Sequence, residues 1–477
     1  MGQLLPCFKA YDVRGKVPTE LNPEIAYNIG RAYADLIKPK TVCVGYDIRL
    51  SGPALYDALA RGLNDAGVDV VHLGMVGTEM VYFATAKYGF DGGIMITASH
   101  NPSDYNGMKM VRGESRPISN DTGLLEIERR AYERSWQSEG KGTRRDLDCY
   151  AEFVQHLIGI VPPETLKPLK VLLDPGNGAA GVALKQLMPH LVLQADYLRD
   201  EPDGTFPNGV PNPILEESRS MTERKMRGED VLDSPMIGGI SHEAVASTDA
   251  SHRGLMGKHS YDFGVAWDGD YDRCFFFDEL GNFIEGYYIV GLIAQALLSD
   301  NPGQTIIYDP RLLWNTLDIA YRMGGNAVVC KSGHAFIKEK MRAENAIYGG
   351  EMSAHHYFRS HWFCDSGMIP FLLVAKLVSQ SGKSLGSLVG EMIQNYPCSG
   401  EVNSEVADVR ATLDLIEKKY SDGKIDKLDG LSVEYPDWRF NLRGSNTEPV
   451  IRLNVEARGD ADLVRRKTQE LLGLIRG

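Results

Sequence analysis

Ser99 is the first side chain whose setting suggests chemistry. It leaves the apolar run DGGIMI (91–96) within TASHNPSDYNGMKMV (97–111), where Pro102 stops regular structure and frees backbone amides to face an anion. A hydroxyl so placed is expected to be exposed and flanked by polar groups, as a covalent phosphoryl carrier requires. On spacing alone, a structural turn accounts for the stretch better. The second candidate is DGDYDR (268–273), which sets Asp268, Asp270 and Asp272 at alternate positions after the strand-like FGVAW. On a bending loop, three such carboxylates can converge on one hard cation. Mg²⁺ takes six oxygens, and a few carboxylates plus a phosphate suit it. A calcium EF-hand also begins Asp-x-Asp-x-Asp, with Glu279 at its twelfth position. Arg273 stands where that loop needs Gly, however, and CFFF follows like a strand, so the EF-hand is rejected. A phosphatase with an aspartyl nucleophile uses the same acidic strand end and stays open.

Two further polar loops could bind rather than react. GGEMSAHHYF (349–358) offers Glu351 and Ser353 to sugar hydroxyls, although a Glu in a Gly-rich turn is often structural. His355 beside them suits a general acid or base, because an unperturbed imidazole titrates near neutrality; His356 has no comparable role. RGSNTEP (443–449) sets Arg443, Ser445, Asn446 and Thr447 between two strands, the makings of a phosphate clamp or of an ordinary hairpin loop. GNGAAG (176–181) matches G-x-G-x-x-G, but nothing nearby completes a nicotinamide site, and no P-loop is present.

The elements that must position these loops repeat. TVCVGYDIR (41–49), KVLLDPGNG (170–178) and TIIYDPRLL (305–313) are short β-rich runs ending in Asp and a turn. Apolar residues at helical spacing follow each, as in Leu55, Leu59 and Leu63. Each unit then reaches a second apolar strand that opens into a polar loop: 91–102, 261–273 or 345–356. Strands alternating with helices predict three copies of one α/β domain with largely parallel sheets. Ligands of open α/β sheets sit at the carboxyl ends of strands, where all three loops fall, so they are expected to converge on one cleft. The last eighty or so residues read as a smaller α+β domain, with helices near 405–419 and 460–475 around two strands in 431–457. Domains are placed at 1–147, 148–282, 283–392 and 393–477. Residues 219–251 read as an atypical insertion within the second, a surface excursion or disordered loop rich in Gly, Ser, Asp and His. His242, His252 and His259 have no metal-site spacing and are given no function.

The 477 residues suit three or four domains at roughly 100–200 residues each. A net charge of −13 repels nucleic acid and anionic lipid alike, so neither is expected as a partner. It would also repel a sugar phosphate, whose site must then be a local basic island. Seven scattered cysteines form no C-x₂-C pair, which predicts neither a disulfide framework nor structural zinc and suits a reducing cytoplasm. The longest apolar stretch, Tyr287–Leu298, is too short to span a bilayer.

Taken together and in order, FKAYDVRG, TASHNP, DGDYDR, GEMSAHH and RGSNTEP resemble the α-D-phosphohexomutase family nearly end to end, breaking only across about 219–251. The resemblance implies three similar mixed α/β domains plus a smaller C-terminal α+β domain around a central cleft. It implies that Ser99 is a phosphoserine, with Lys109 near the transferring phosphoryl group and Tyr11 and Arg14 near the reaction centre. Arg273 would hold that phosphoryl group. One Mg²⁺ per subunit would be held by Asp268, Asp270, Asp272 and the Ser99 phosphate. Glu351 and Ser353 would grip O3 and O4 of a hexose, with Arg311, Ser332, Gly333 and His334 lining the sugar side and the Arg443 loop binding the idle phosphate. Met352, between Glu351 and Ser353, matches members that act on mannose phosphates. The implied activity is reversible conversion of mannose 6-phosphate to mannose 1-phosphate, with a hexose 1,6-bisphosphate as intermediate and activator, feeding GDP-mannose. Phosphoglucomutase or dual activity is the alternative, since glucose and mannose differ only at C2.

Overall fold

The computed structural model describes residues 4–229, 231, 259–444 and 450–477. They form two compact units. One holds the chain up to Phe283 together with His355–Ser384; the other holds Ile284–Ala354 with Leu385–Gly477.

In the first unit, β1 (Thr41–Tyr46) is a β-branched run that pairs parallel with β2 (Asp69–Met75) on one side. The helix α1 (Thr78–Lys87) leads to β3 (Gly92–Ile96), parallel to β1 on its other side, and β4 (Tyr105–Arg112) returns antiparallel along β3. Val13–Lys16 closes that edge against β4. Every residue of β3 is buried, as expected of a strand covered on both faces. The helices Pro23–Ile37 and Gly52–Asp65 cross closely because both contact points are glycines. A Cβ on Gly30 would lie 2.5 Å from the Leu59 carbonyl oxygen, and one on Gly62 2.2 Å from that of Tyr27.

The same arrangement recurs. β5 (Lys170–Asp174) pairs parallel with β6 (Gln194–Tyr197) and, after the helix α2 (Glu216–Met226), with β7 (Phe263–Trp267); β8 (Cys274–Phe277) runs antiparallel to β7. In the second unit, β9 (Thr305–Tyr308) pairs parallel with β10 (Asn326–Val329). After the helix α3 (His334–Glu344) it pairs parallel with β11 (Tyr348–Gly350). A central strand that ends in or runs straight into an Asp is thus flanked by the same two neighbours three times over. The three polar loops all follow the third strand of their set: β3, β7 and β11. The sheets are mixed rather than largely parallel, because an antiparallel strand follows the polar loop in the first two sets.

The C-terminal part has more strands than the two anticipated. Five form one antiparallel sheet in the order Cys398–Glu405, Val450–Ala457, Trp438–Gly444, Leu431–Glu434, Lys424–Asp426. The flanking helices Val409–Lys419 and Ala461–Arg476 begin at Asp408 and Asp460, whose carboxylates accept from the backbone N–H three residues on. Cys398–Glu405 escaped notice because its GEVNSE sequence is mostly polar, as an edge strand tolerates.

Of the segment read as an insertion (219–251), residue 230 and residues 232–251 lie outside the described residues, and its first part is helical rather than irregular. Residues 219–226 lie in α2, whose overall polarity masks a two-residue inner face. Thr222 donates to Asp174 Oδ2 at 2.5 Å, and Met226 packs on Gly264 of β7. His259 lies in a bend; His242 and His252 lie outside the described residues.

Candidate active site

Ser99 sits three residues past the end of β3, in a left-handed backbone conformation (φ +48°) that non-glycine residues seldom adopt. It is buried (3% exposed), not exposed as its loop position implied. The loop folds inward because its backbone is held. Arg49 donates to the Ser99, Asn101, Pro102 and Tyr105 carbonyls at 2.6–2.9 Å. Gly269 also lets the 268–273 loop approach, since a Cβ there would lie 2.5 Å from the Ser99 carbonyl oxygen. The hydroxyl itself donates to Asp268 Oδ2 at 2.7 Å, with Arg273 Nη2 at 3.4 Å and His100 Nδ1 at 3.1 Å. Burial, followed by the positive charges of Arg273 and Arg14, holds His100 well below its usual pKa and therefore neutral.

The loop after β7 brings Asp268, Asp270 and Asp272 together, with one oxygen from each lying within 4.8 Å of the others. Asp268 pairs with Arg273 at 2.8 Å. Lys109, from β4, bridges Asp270 (2.7 Å) and Asp272. Burial would lower the Lys109 pKa, but the two carboxylates outweigh it and raise it, so the ammonium stays charged. Burial likewise would raise Asp270, yet Lys109 and Thr78 pull it below the usual carboxylate range. Asp272 is pushed well up by burial and by the Asp270 charge. Thr78, at the start of α1, donates to Asp270 Oδ2 and takes the Asp270 carbonyl on its N–H, so the helix start steadies the loop. Asp270 Oδ1 and Asp272 Oδ1 are buried and accept no hydrogen bond from the described residues. Two such carboxyl oxygens beside a third carboxylate and a hydroxyl fit a hard, oxygen-ligated divalent cation such as Mg²⁺. The GNGAAG turn is structural here: the Ala179 N–H donates to the Gly269 carbonyl at 3.1 Å and props the acidic loop.

Around this centre, Arg14 reaches Asn101 Oδ1 at 2.6 Å, and Tyr11 lies half-buried in the bend leading to Val13. His355 Nε2 lies 3.8 Å from Asp272 Oδ1, while His356 is fully buried and pushed down to about 3 by burial, which leaves it neutral.

The second unit gathers most of the remaining candidates. Arg311 is buried with Asp309 (2.8 Å) and reaches Ser353 Oγ (3.3 Å), Glu351 (3.7 Å) and Glu401 (3.5 Å). Glu351 accepts from the Gly333 N–H at 2.9 Å at the start of α3, where His334 is the first helical residue. Ser332 Oγ is buried and has no hydrogen-bond partner among the described residues. Arg443 meets Asp429 at 3.3 Å and Glu401 at 3.6 Å. Ser445, Asn446 and Thr447 lie outside the described residues. Sequence reasoning missed Arg49, Thr78, Glu401 and Asp429. Glu401 and Asp429 carry no motif. Arg49 had a signal, since its Asp-x-Arg recurs at Asp309–Arg311 after the corresponding strand.

Four family models cover the chain in order. These are phosphoglucomutase/phosphomannomutase alpha/beta/alpha domain I over residues 6–138, domain II over 148–231, domain III over 285–396, and the C-terminal domain over 401–473. The chain belongs to this phosphohexomutase family. A phosphomannomutase from Escherichia coli K12 is 49% identical over 99% of both chains. A protein named for phosphohexose mutases from Xanthomonas campestris is equally similar, over 99% of this chain and all of its own. The crystal structure of a phosphoglucomutase/phosphomannomutase family protein from Burkholderia thailandensis matches with a TM-score of 0.83 at 31% identity, covering 100% of this chain and 98% of that one. Family membership accounts for the threefold α/β repeat and the smaller last domain. It also makes the protein a phosphotransferase of a magnesium-dependent class, with the Asp268–Asp270–Asp272 cluster as the acidic triad for the ion.

Proposed function

We propose that the protein is a phosphomannomutase that interconverts mannose 6-phosphate and mannose 1-phosphate through a phosphorylated Ser99. The observation that carries this reading is the 2.7 Å contact of Ser99 Oγ with Asp268, in a buried nest that also holds Arg273, Lys109 and two carboxylate oxygens without hydrogen bonds. Asp268, Asp270 and Asp272 would hold Mg²⁺, which would supply charge neutralisation to the phosphoryl oxygens. Phosphorylated Ser99 passes its phosphoryl group to O1 of mannose 6-phosphate. The P–Oγ bond breaks as the P–O1 bond forms; His355 takes the O1 proton, and that proton passes on to the Ser99 Oγ left behind. Lys109 and Arg273 follow the charge on the moving group. The mannose 1,6-bisphosphate formed then turns end for end and returns its 6-phosphoryl group to Ser99. A hexose 1,6-bisphosphate supplied from outside loads the serine in the first place and so acts as activator.

Glu351 and Ser353 hold O3 and O4, which a sugar presents in either orientation. Arg311, Ser332, Gly333 and His334 line that side, and Arg443 with Ser445, Asn446 and Thr447 binds whichever phosphate is idle. Tyr11 and Arg14 complete the surroundings of Ser99. The substrates are small sugar phosphates, and a cytoplasmic setting with a role in supplying GDP-mannose fits them. Among the described residues no helix is long and apolar enough to cross a membrane.

A coupled assay with mannose 6-phosphate, catalytic bisphosphate and Mg²⁺ tests the reading. Mannose 1-phosphate should accumulate without stoichiometric inorganic phosphate; net phosphate release in its place would mark a phosphatase and overturn it.

A further inference from the structure

Ser99 is strained, and its strain has a specific restraint. β1 and β3 stay in register up to Tyr46 opposite Ile96, so Asp47-Ile48-Arg49 leaves the sheet beside Thr97-Ala98-Ser99. Thr97 Oγ1 donates to Asp47 Oδ2 at 2.7 Å and accepts the Ser99 N–H at 2.8 Å. Arg49 Nη2 donates to the Ser99 carbonyl at 2.9 Å, and its other contacts take three more carbonyls of the same loop. Asp47 and Arg49 are each 1% exposed and lie 3.6 Å apart. Both peptide groups flanking the Ser99 Cα are therefore tied to one buried ion pair. The second unit repeats the device: Tyr308 faces Gly350, and Asp309-Pro310-Arg311 leaves beside Glu351-Met352-Ser353. There Asp309 accepts the Met352 N–H at 2.8 Å, and Arg311 reaches Ser353.

We propose that Asp47, Arg49 and Thr97 form a clamp that holds Ser99 in its left-handed conformation and aims its hydroxyl at the acidic loop. Arg49 and Thr97 are then positioning residues for phosphoryl transfer. The inference rests on Ser99 being the phosphoryl carrier. A nucleophile displaced by about 1 Å loses a factor of roughly 100 in rate, and a left-handed residue without its restraints relaxes toward ordinary backbone. Thr97→Ser keeps the bridging hydroxyl; Thr97→Val removes it at nearly constant volume. Arg49→Lys keeps the charge but cannot reach four carbonyls with one ammonium.

The test is single-turnover phosphorylation of the full chain by a hexose 1,6-bisphosphate with Mg²⁺, read by intact-protein mass spectrometry, with Mn²⁺ affinity measured in parallel. Thr97→Ser should load at close to the parent rate. Thr97→Val and Arg49→Lys should load roughly 10- to 100-fold more slowly, with Mn²⁺ affinity unchanged because the acidic loop is intact. Loading at the parent rate in both slowed variants would overturn the clamp, as would equal slowing in Thr97→Ser or a matching loss of Mn²⁺ affinity. Should Thr97→Val fail to fold, Arg49→Lys decides. Failure of the parent chain itself to take the ester would instead sink the carrier role of Ser99.

Discussion

At the scale of single residues, the site is a balance of buried charge. Asp268, Asp270 and Asp272 face Lys109 and Arg273 with little solvent between them, so each carboxylate answers for its neighbours. Asp270 has one oxygen on Thr78 and Lys109 and one that accepts nothing. Asp270→Asn removes a formal charge from the metal set and should weaken Mn²⁺ binding by roughly 10- to 100-fold, measured by titration independently of turnover. Unchanged affinity would remove Asp270 from the set. A different buried group sets an acid limit. His356 is held down at about 3 in the folded chain, whereas unfolded imidazole titrates near 6.5. Its folded pKa is depressed, so the unfolded state binds the extra proton first and stability is lost as pH falls below about 6.5. At pH 5 this single group costs about 2 kcal/mol. The melting-temperature advantage of the parent chain over His356→Gln should therefore shrink between pH 7 and pH 5. A constant gap would contradict a neutral buried imidazole.

At the scale of elements, loops rather than strands carry the chemistry, and they are fixed by close backbone approaches. Gly269 makes one of these at the reaction centre. Gly269→Ala puts a methyl group 2.5 Å from the Ser99 carbonyl oxygen and should cost about 1–3 kcal/mol, with a larger fall in turnover than in melting temperature. α2 makes the complementary case away from the chemistry. Thr222→Val removes one of two donors to Asp174 Oδ2, the other being Arg199, and should cost about 0.5–1.5 kcal/mol by denaturant unfolding while leaving Mn²⁺ affinity unchanged. These two positions also show what the sequence could reveal. Strand–turn–helix repeats and the four loops were legible because apolar period and turn chemistry are local. Ser99 was legible as a carrier but not as a buried one, because burial comes from Arg49 and Gly269, each distant in sequence from Ser99. α2 was missed because only Thr222 and Met226 of its eleven residues face inward. Glu401 and Asp429 were invisible for the same reason: their partners Arg311, Arg443 and Ser332 are set by pairing across the fold.

At the scale of the whole molecule, one α/β design is used three times, and the proposed function divides three tasks among its copies: carrying the phosphoryl group, neutralising it and gripping the sugar. The last domain would add a phosphate clamp at Arg443. A net charge of −13 means that binding a sugar phosphate depends on islands of Arg and Lys rather than on the general field. A grip confined to O3 and O4 is blind to C2, where glucose and mannose differ. Side-by-side rates should show turnover of both hexose 6-phosphates, with kcat/KM higher for mannose 6-phosphate. A strict preference for glucose would overturn the assignment of substrate. Chelation of divalent ions should abolish both activities together, and Mg²⁺ should restore them.

The account turns on whether the Ser99 hydroxyl carries the phosphoryl group, and intact-protein mass spectrometry with peptide mapping tests that directly. After incubation with a hexose 1,6-bisphosphate and Mg²⁺, the folded chain should gain one phosphoryl group located on Ser99, lose it to added mannose 6-phosphate, and gain none as Ser99→Ala. A folded chain that never takes the ester, or one that carries it on Asp268 or another acid of the 268–273 loop, would contradict the account.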